Sequence, residues 1–89
     1  MQFTWDPRKA AANLRKHGVS FDEAATVFED PLTLAVDDLD YPERTLVVGM
    51  SRAERLLLVV HVEISEDTLR LISARRPTPH ERRRYEEGT

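Results

Sequence analysis

The sequence predicts an α+β fold in which two N-terminal helices, a four-stranded antiparallel sheet and a C-terminal helix form a single domain over residues 1–89. Apolar residues recur at helical spacing as far as residue 30, and from residue 32 to residue 75 they alternate or run continuously in strand-length segments. The connections between these strand segments are short, whereas parallel pairing of neighbouring strands requires a long crossover. A chain of 89 residues suits one domain with a small core.

The first helix is predicted by signals at both of its ends. Residues 3–5, Phe-Thr-Trp, have the apolar-polar-apolar pattern of a short edge strand. Asp6 then provides an N-cap and Pro7 a first helical residue, before a segment rich in helix-forming residues. Gly18 follows as the left-handed residue that ends many helices.

The second helix begins at Ser20, which we expect to cap it while Glu23 reaches back as the capping-box partner. Its apolar residues recur at helical spacing and form a stripe for the core: Phe21, Ala24, Ala25, Val27 and Phe28. The dipeptide Asp30-Pro31 ends the helix because a residue before proline disfavours helical geometry.

Four strands follow, predicted at residues 32–37, 44–51, 56–65 and 68–75. A charged turn at residues 52–55 joins the second to the third. The third is apolar on both faces, so we expect it to be central, with packing elements on each side.

The two-residue link at 66–67 predicts the register of the last two strands. It pairs Ser65 with Thr68, Glu63 with Arg70, and His61 with Ile72. Because side chains alternate along a strand, His61, Glu63 and Arg70 then share one face, and Arg75 lies on the other.

The last strand ends in adjacent arginines, breaks at Pro77 and continues into a basic helix. Thr78 is the expected N-cap, Pro79 the first helical residue, and Glu81 the capping-box partner. The pattern predicts that one corner projects five side chains that could hold a phosphate chain: Arg75, Arg76, His80, Arg82 and Tyr85. A solvated basic helix end remains the alternative interpretation.

Charge is segregated along the chain, although the formal net charge is only −3. Residues 22–43 contain eight acidic residues and no lysine or arginine, while residues 70–84 contain six arginines and one glutamate. This asymmetry favours two binding surfaces. The absence of cysteine excludes disulfide and thiolate chemistry, and no segment predicts a signal peptide or membrane span, so a cytoplasmic location is expected.

Ribonuclease chemistry fits the residues better than other enzyme classes. His17, His61 and His80 lie on separate predicted elements without metal-ligand spacing, so neither a metal nor a cofactor is expected. RNA supplies its own 2′-hydroxyl nucleophile, and the protein must accept a proton, donate a proton and stabilise negative charge. Arginine suits the last task and histidine the first two, while a cation-activated tyrosine is a further proton carrier.

Two motifs in the chain resemble signatures of the BrnT toxin family. One is Phe3-x-Trp5-Asp6-x-x-Lys9-Ala10-x-x-Asn13, continuing as Lys16-His17-Gly18-Val19-Ser20-Phe21-x-Glu23-Ala24-x-x-Val27-Phe28-x-Asp30. The other is Arg70-Leu71-Ile72-Ser73-Ala74-Arg75-Arg76, followed by Glu81-Arg82-x-x-Tyr85. Pro77 stands where the family pattern would have alanine, and it should stiffen the corner between strand and helix.

The resemblance implies a toxin of a bacterial type II toxin–antitoxin pair, with a RelE-like fold and metal-independent ribonuclease activity that halts translation. It implies a BrnA-like ribbon-helix-helix antitoxin that neutralises the toxin in a hetero-oligomeric complex and binds operator DNA to repress the operon. An alternative is a non-catalytic toxin-fold module that acts with the antitoxin in repression.

Under the ribonuclease hypothesis, the predicted catalytic residues are Arg75, Arg76, Arg82, Tyr85 and His61. The predicted RNA-binding residues are Lys9, Lys16, His17, Arg70 and His80. Structural roles remain open for several of them. His61 could be a core or cross-strand histidine and Tyr85 a packed ring, while Lys16 and His17 could simply stabilise a helix end.

Overall fold

The computed structural model describes residues 1–38 and 40–88, which form three α-helices, one 3₁₀ turn and five strands. The helices are α1 (Pro7–His17), α2 (Phe21–Thr26) and α3 (Pro79–Glu87), and the 3₁₀ turn is Val27–Glu29. The strands are β1 (Gln2–Thr4), β2 (Leu34–Asp37), β3 (Arg44–Met50), β4 (Leu56–Ser65) and β5 (Thr68–Arg75). The predicted α+β class, with three helices, is confirmed.

The predicted four-stranded antiparallel sheet is wrong, because the sheet has five strands in the order β1-β5-β4-β3-β2 and is mixed. β2 to β5 form the expected antiparallel meander. The fifth strand is β1, which pairs with β5 in parallel. A short connection predicts antiparallel pairing only for two strands that follow one another in sequence. β1 pairs instead with a strand more than sixty residues away.

The caps of α1 form as predicted, whereas those of α2 differ in one respect. Asp6 accepts a hydrogen bond from the Arg8 amide at 2.8 Å, and Gly18 adopts the left-handed conformation at φ 70°. Ser20 accepts from the Glu23 amide at 3.1 Å. The predicted return bond of the Glu23 carboxylate is wrong, since that carboxylate accepts from Ser51 Oγ at 2.7 Å and from Arg55.

The core lies on both faces of the sheet. One cluster joins the sheet to α1 and α2 and contains Val19, Phe21, Ala24, Val27, Val47, Leu57, Val59, Leu71 and Ala74. The second cluster lies under α3 and contains Val48, Leu56, Leu58 and Tyr85. β4 is the middle strand and contributes to both clusters, which confirms its predicted central position.

Two β-bulges change the predicted register between β4 and β5. Ser65 pairs with Thr68 as predicted, but His61 pairs with Leu71 rather than Ile72. The predicted partner of Glu63 is also wrong, because Arg70 pairs with Val62. Each bulge inserts an extra residue into one strand and so reverses which side chains share a face. Arg70 therefore lies on the face opposite His61.

The C-terminal corner has the predicted capping box. The Thr78 hydroxyl accepts from the Glu81 amide at 3.2 Å, and the Glu81 carboxylate accepts from the Thr78 amide at 2.8 Å. Together with Pro79 at the first helical position, these bonds start α3 directly after β5. Within the described residues, no helix is long and apolar enough to cross a membrane.

Candidate nucleic-acid interface

A shallow groove with a volume of about 210 Å³ runs between α1 and β5, and we call it the α1 groove. It is lined by Lys9, Ala12, Asn13, Lys16, His17, Ile72 and Ser73. The α1 residues in this set are three or four positions apart, so they share one helix face. Three predicted RNA-binding residues, Lys9, Lys16 and His17, are thereby brought to one surface.

Asn13 fixes the floor of the α1 groove. Its side chain is 8% exposed, and its amide nitrogen donates to the carbonyl oxygens of Val19 at 3.0 Å and Ala74 at 2.8 Å. Its amide oxygen accepts from the Ala74 backbone N–H at 3.1 Å. These bonds hold α1 against β5. Asn13 was not among the predicted site residues, although a polar amide at a core-facing helical position was an available signal.

Arg76 lies near the end of the α1 groove where α1 leads into α2. Arg55 donates to the Glu23 carboxylate at 2.9 Å and to the Gly18 carbonyl at 3.1 Å, which places Glu23 beside this junction. The hydrogen bond from Arg55 is the main cause that lowers the pKa of Glu23, and the charge of Arg76 contributes. Arg76 is exposed and therefore adds a cation at the same end as Lys16 and His17.

Arg75 points to the other face of the sheet. Its guanidinium donates to both carboxylate oxygens of Glu81, at 2.9 and 3.1 Å, and to the Arg76 carbonyl at 3.1 Å. The hydrogen bond from Arg75 is the main cause that lowers the pKa of Glu81. Arg75 therefore stabilises the corner between β5 and α3, and its charge is paired with that of Glu81.

Tyr85 is buried beneath α3. Its hydroxyl donates to Asp30 Oδ2 at 2.6 Å, and this hydrogen bond raises the pKa of Tyr85 to about 12. Asp30 also accepts from the amides of Leu32 and Met50, both at 2.9 Å. Burial alone would raise the pKa of Asp30, but its hydrogen bonds from Tyr85, Met50 and Leu32 hold that pKa below the usual value. Tyr85 thus anchors α3 to the sheet.

His61 is buried on the opposite face from Tyr85. Its side chain is 7% exposed, and its ring meets Phe28 edge-on at 5.0 Å between centroids. Burial lowers the pKa of His61, and its Nδ1 atom has no hydrogen-bond partner among the described residues. The structure therefore separates His61 from Tyr85 by the thickness of the sheet.

The ten predicted residues consequently occupy four environments. Lys9, Lys16 and His17 line the α1 groove, and Arg76 lies near its end. Arg75, His80 and Arg82 surround the start of α3, with His80 and Arg82 exposed, and Arg70 is exposed on β5. His61 and Tyr85 are interior. Among residues 1–38 and 40–88, no three His, Asp or Glu side chains lie together as a possible metal site.

The burial of His61 predicts a loss of stability in mild acid. Because burial lowers its pKa in the folded state, the unfolded chain binds protons more readily once the pH falls below the usual value of 6.5. The free energy of unfolding should therefore fall as the pH decreases from 6.5 toward the lowered pKa. Urea denaturation between pH 7.5 and about 5 measures this slope.

The control for this prediction is His61→Leu, which removes the titrating group but keeps a side chain of moderate size at this buried position. The variant should lose less stability than the wild type over the same pH interval, because the carboxylates are common to both proteins. Equal slopes for the two proteins would show that His61 does not contribute.

Comparison with solved structures identifies the class of the fold. The chain is similar to the crystal structure of the Brucella abortus ribonuclease toxin BrnT, with a TM-score of 0.72 and 20% sequence identity, over 88% of this chain and 97% of that one. The fold is thus that of a small bacterial ribonuclease toxin. A family model described as the ribonuclease toxin BrnT of type II toxin–antitoxin systems matches residues 5–81. The chain belongs to the BrnT family, which confirms the resemblance carried by its motifs.

A search of curated proteins gives no match. Membership in a type II toxin–antitoxin family implies that the chain has an antitoxin partner.

Proposed function

We propose that this chain is a metal-independent endoribonuclease that binds cellular RNA in the α1 groove, cleaves it and so inhibits translation. The observation that carries this proposal is the convergence of Lys9, Lys16 and His17 in one groove. Its activity is neutralised by a BrnA-like ribbon-helix-helix antitoxin, which also carries the complex to operator DNA. The protein acts in the cytoplasm, where its RNA substrate is located.

The α1 groove suits a phosphate backbone because its cations are held at a fixed separation. Lys9 and Lys16 are seven residues apart, which is about 10 Å along a helix axis. Asn13 lies between them and ties the helix to β5, so the two ammonium groups extend from a rigid base. Phosphate binding by such cations releases counterions, and RNA affinity should therefore fall steeply with salt.

His17 is the proton carrier that we assign to the reaction. Its imidazole lines the groove next to Lys16, and histidine is the side chain that most often serves as a general acid or base. It accepts the proton of the 2′-hydroxyl or donates one to the leaving oxygen, while Arg76 stabilises the negative charge on the phosphate.

In this proposal, the other predicted site residues hold the fold around Arg76 in place or extend the cationic surface. Arg75 fixes the end of β5 through Glu81, and Tyr85 anchors α3 through Asp30. Arg82, His80 and Arg70 extend the cationic surface on the α3 side. His61 supports the sheet from the core beneath Phe28.

Substitutions in the α1 groove test the proposal. His17→Gln should lower the rate of RNA cleavage by about 100-fold or more, the usual scale for losing a general acid or base. Lys16→Ala should weaken RNA binding and reduce the salt slope of log affinity by about one. Cleavage of labelled RNA with EDTA present measures the first effect, and filter binding at several salt concentrations measures the second.

Arg15→Ala is the matched control, because Arg15 is an exposed cation on the same helix that does not line the groove. It should leave cleavage and the salt slope close to those of the wild type. If both groove variants cleave RNA at the wild-type rate, the α1 groove is not the RNA site. If the wild type loses cleavage in EDTA, the reaction is not independent of metal.

A second candidate is a non-catalytic toxin-fold module that acts with the antitoxin in operon repression. The observation in its favour is that His61 and Tyr85 are buried and Arg75 is paired with Glu81. Expression of the wild type in bacteria distinguishes the two candidates. Growth arrest that His17→Gln relieves supports the ribonuclease, whereas unimpaired growth with abundant soluble protein supports the repression module.

A further inference from the structure

β2 leaves one edge of the sheet open to a partner. This strand, Leu34–Asp37, is the outermost in the sheet and, within the described residues, pairs only with β3. Edge strands are usually protected by lysine, proline or a bulge, because their outer N–H and C=O groups can pair with another chain. The β2 sequence Leu-Ala-Val-Asp contains neither lysine nor proline, and its pairing with β3 is regular.

An apolar groove follows this edge, and we call it the α3 groove. It has a volume of about 160 Å³ and lies between β2 and α3. Its floor and wall on the sheet side consist of Leu34, Val36, Leu46, Val48 and Leu58. Leu34 and Val36 are alternate residues of the edge strand, so an added strand would find pockets at the same two-residue spacing.

The α3 side of the groove supplies the charge. His80, Glu81 and Arg84 line it, and Glu81 is bound through both of its carboxylate oxygens by Arg75. This pairing neutralises the acidic group, which leaves Arg84 as the cation presented at the rim. A partner segment with an acidic side chain therefore complements the groove.

We propose that an extended segment of the antitoxin adds to β2 as a further strand, with apolar side chains in the α3 groove and a carboxylate against Arg84. The inference rests on the antitoxin partnership in the proposed function, and it does not depend on RNA cleavage. The floor of the groove is aliphatic and lies beside a strand edge that is unpaired within the described residues, so the groove suits an extended peptide better than RNA. A second copy of this chain would bring a like cationic rim to the contact.

Two substitutions address the two parts of this surface. Val36→Arg places a charge in the apolar pocket of β2, and Arg84→Glu reverses the cation at the rim. Ala35→Arg is the control for the first, because Ala35 is exposed and its side chain points to the other face of the same strand. Arg83→Glu is the control for the second, since Arg83 is exposed on α3 but does not line the groove.

The measurement is the dissociation constant for the purified antitoxin encoded in the same operon, obtained by isothermal titration calorimetry. Val36→Arg should weaken binding by about 100-fold and Arg84→Glu by about tenfold, while each control stays within about threefold. RNA cleavage by the free Val36→Arg variant should match that of the wild type, because the α1 groove lies on the other face of the sheet. Antitoxin affinities equal to that of the wild type for Val36→Arg and Arg84→Glu would overturn the proposal.

Amide hydrogen exchange of the wild type keeps the proposal testable if Val36→Arg does not fold. Antitoxin binding should slow exchange at β2. Unchanged exchange at β2 on antitoxin binding would overturn the proposal. Protection of β2 by self-association of the free protein, or by added RNA, would also overturn it. Protection of β2 by antitoxin in a protein that does not cleave RNA would refute the ribonuclease function and support this inference.

Discussion

Asn13→Leu is expected to lower the free energy of unfolding by about 3 kcal/mol or more, because it removes three buried hydrogen bonds and leaves their backbone partners unsatisfied. The groups left without partners are the Ala74 N–H, the Ala74 carbonyl and the Val19 carbonyl. Leucine has the same branched arrangement of non-hydrogen side-chain atoms as asparagine, so it occupies the site without restoring any bond. Such a loss is a large fraction of the stability of a small domain.

Urea denaturation of the purified variant measures this loss, and Leu14→Ala is its control. Leu14 lies next to Asn13 on the same helix but is exposed, so its truncation should cost less than about 1 kcal/mol. Asn13→Asp distinguishes the contribution of the accepted bond from that of the two donated bonds. Aspartate can still accept from the Ala74 amide but cannot donate to either carbonyl. If Asn13→Leu unfolds at the same urea concentration as the wild type, the hydrogen bonds of Asn13 between α1 and β5 are not important for stability.

Local structure was predictable where the sequence carries its own termination signals. The boundaries of α1 follow from Asp6 and Gly18, and the start of α3 follows from Thr78 and Glu81, because each cap is formed by residues within a few positions of one another. The grouping of Lys9, Lys16 and His17 was equally accessible, since it depends only on helical spacing. These features required no knowledge of distant contacts.

The features that were missed all depend on long-range pairing. β1 has three residues, and nothing in them specifies β5 as its partner. The bulges in β4 and β5 are single-residue insertions that hydrophobic alternation does not reveal in apolar strands. For the same reason the sequence does not reveal that Asp30, fifty-five positions earlier, accepts a hydrogen bond from the Tyr85 hydroxyl.

The interior positions of His61 and Tyr85 change how the basic corner is understood. Its helix, α3, is attached to the sheet by Tyr85 and Arg75, so two of the predicted catalytic side chains also position it. In the proposed function, the chemistry therefore lies in the α1 groove and at Arg76. Asp30 becomes a central structural residue because it joins α3 to β3 and to the segment that enters β2.

Gly49→Ala is expected to destabilise the fold by about 1–3 kcal/mol, the usual scale for overpacking a core. A Cβ atom at Gly49 would lie 2.6 Å from Thr33 Cγ2 and 2.7 Å from Val27 Cγ1, both on β-branched side chains that cannot easily rotate away. Relief requires β3 to move away from the 3₁₀ turn, which strains the bond from the Met50 amide to Asp30. Thermal unfolding should show a lower midpoint, and hydrogen exchange should show earlier opening of α3.

A double-mutant cycle with Val27→Ala identifies the cause, because this second substitution removes one of the two clashing methyl groups. Val27→Ala alone should destabilise the protein by leaving a cavity, but in the Gly49→Ala background it should cost less or restore stability. Gly18→Ala is the control for backbone strain. A Cβ at Gly18 meets no atom within 4 Å, yet its φ of 70° disfavours alanine by about 1–2 kcal/mol. That penalty should be independent of Val27. Additive effects of Gly49→Ala and Val27→Ala would mean that the close approach of β3 to the 3₁₀ turn is not what requires glycine.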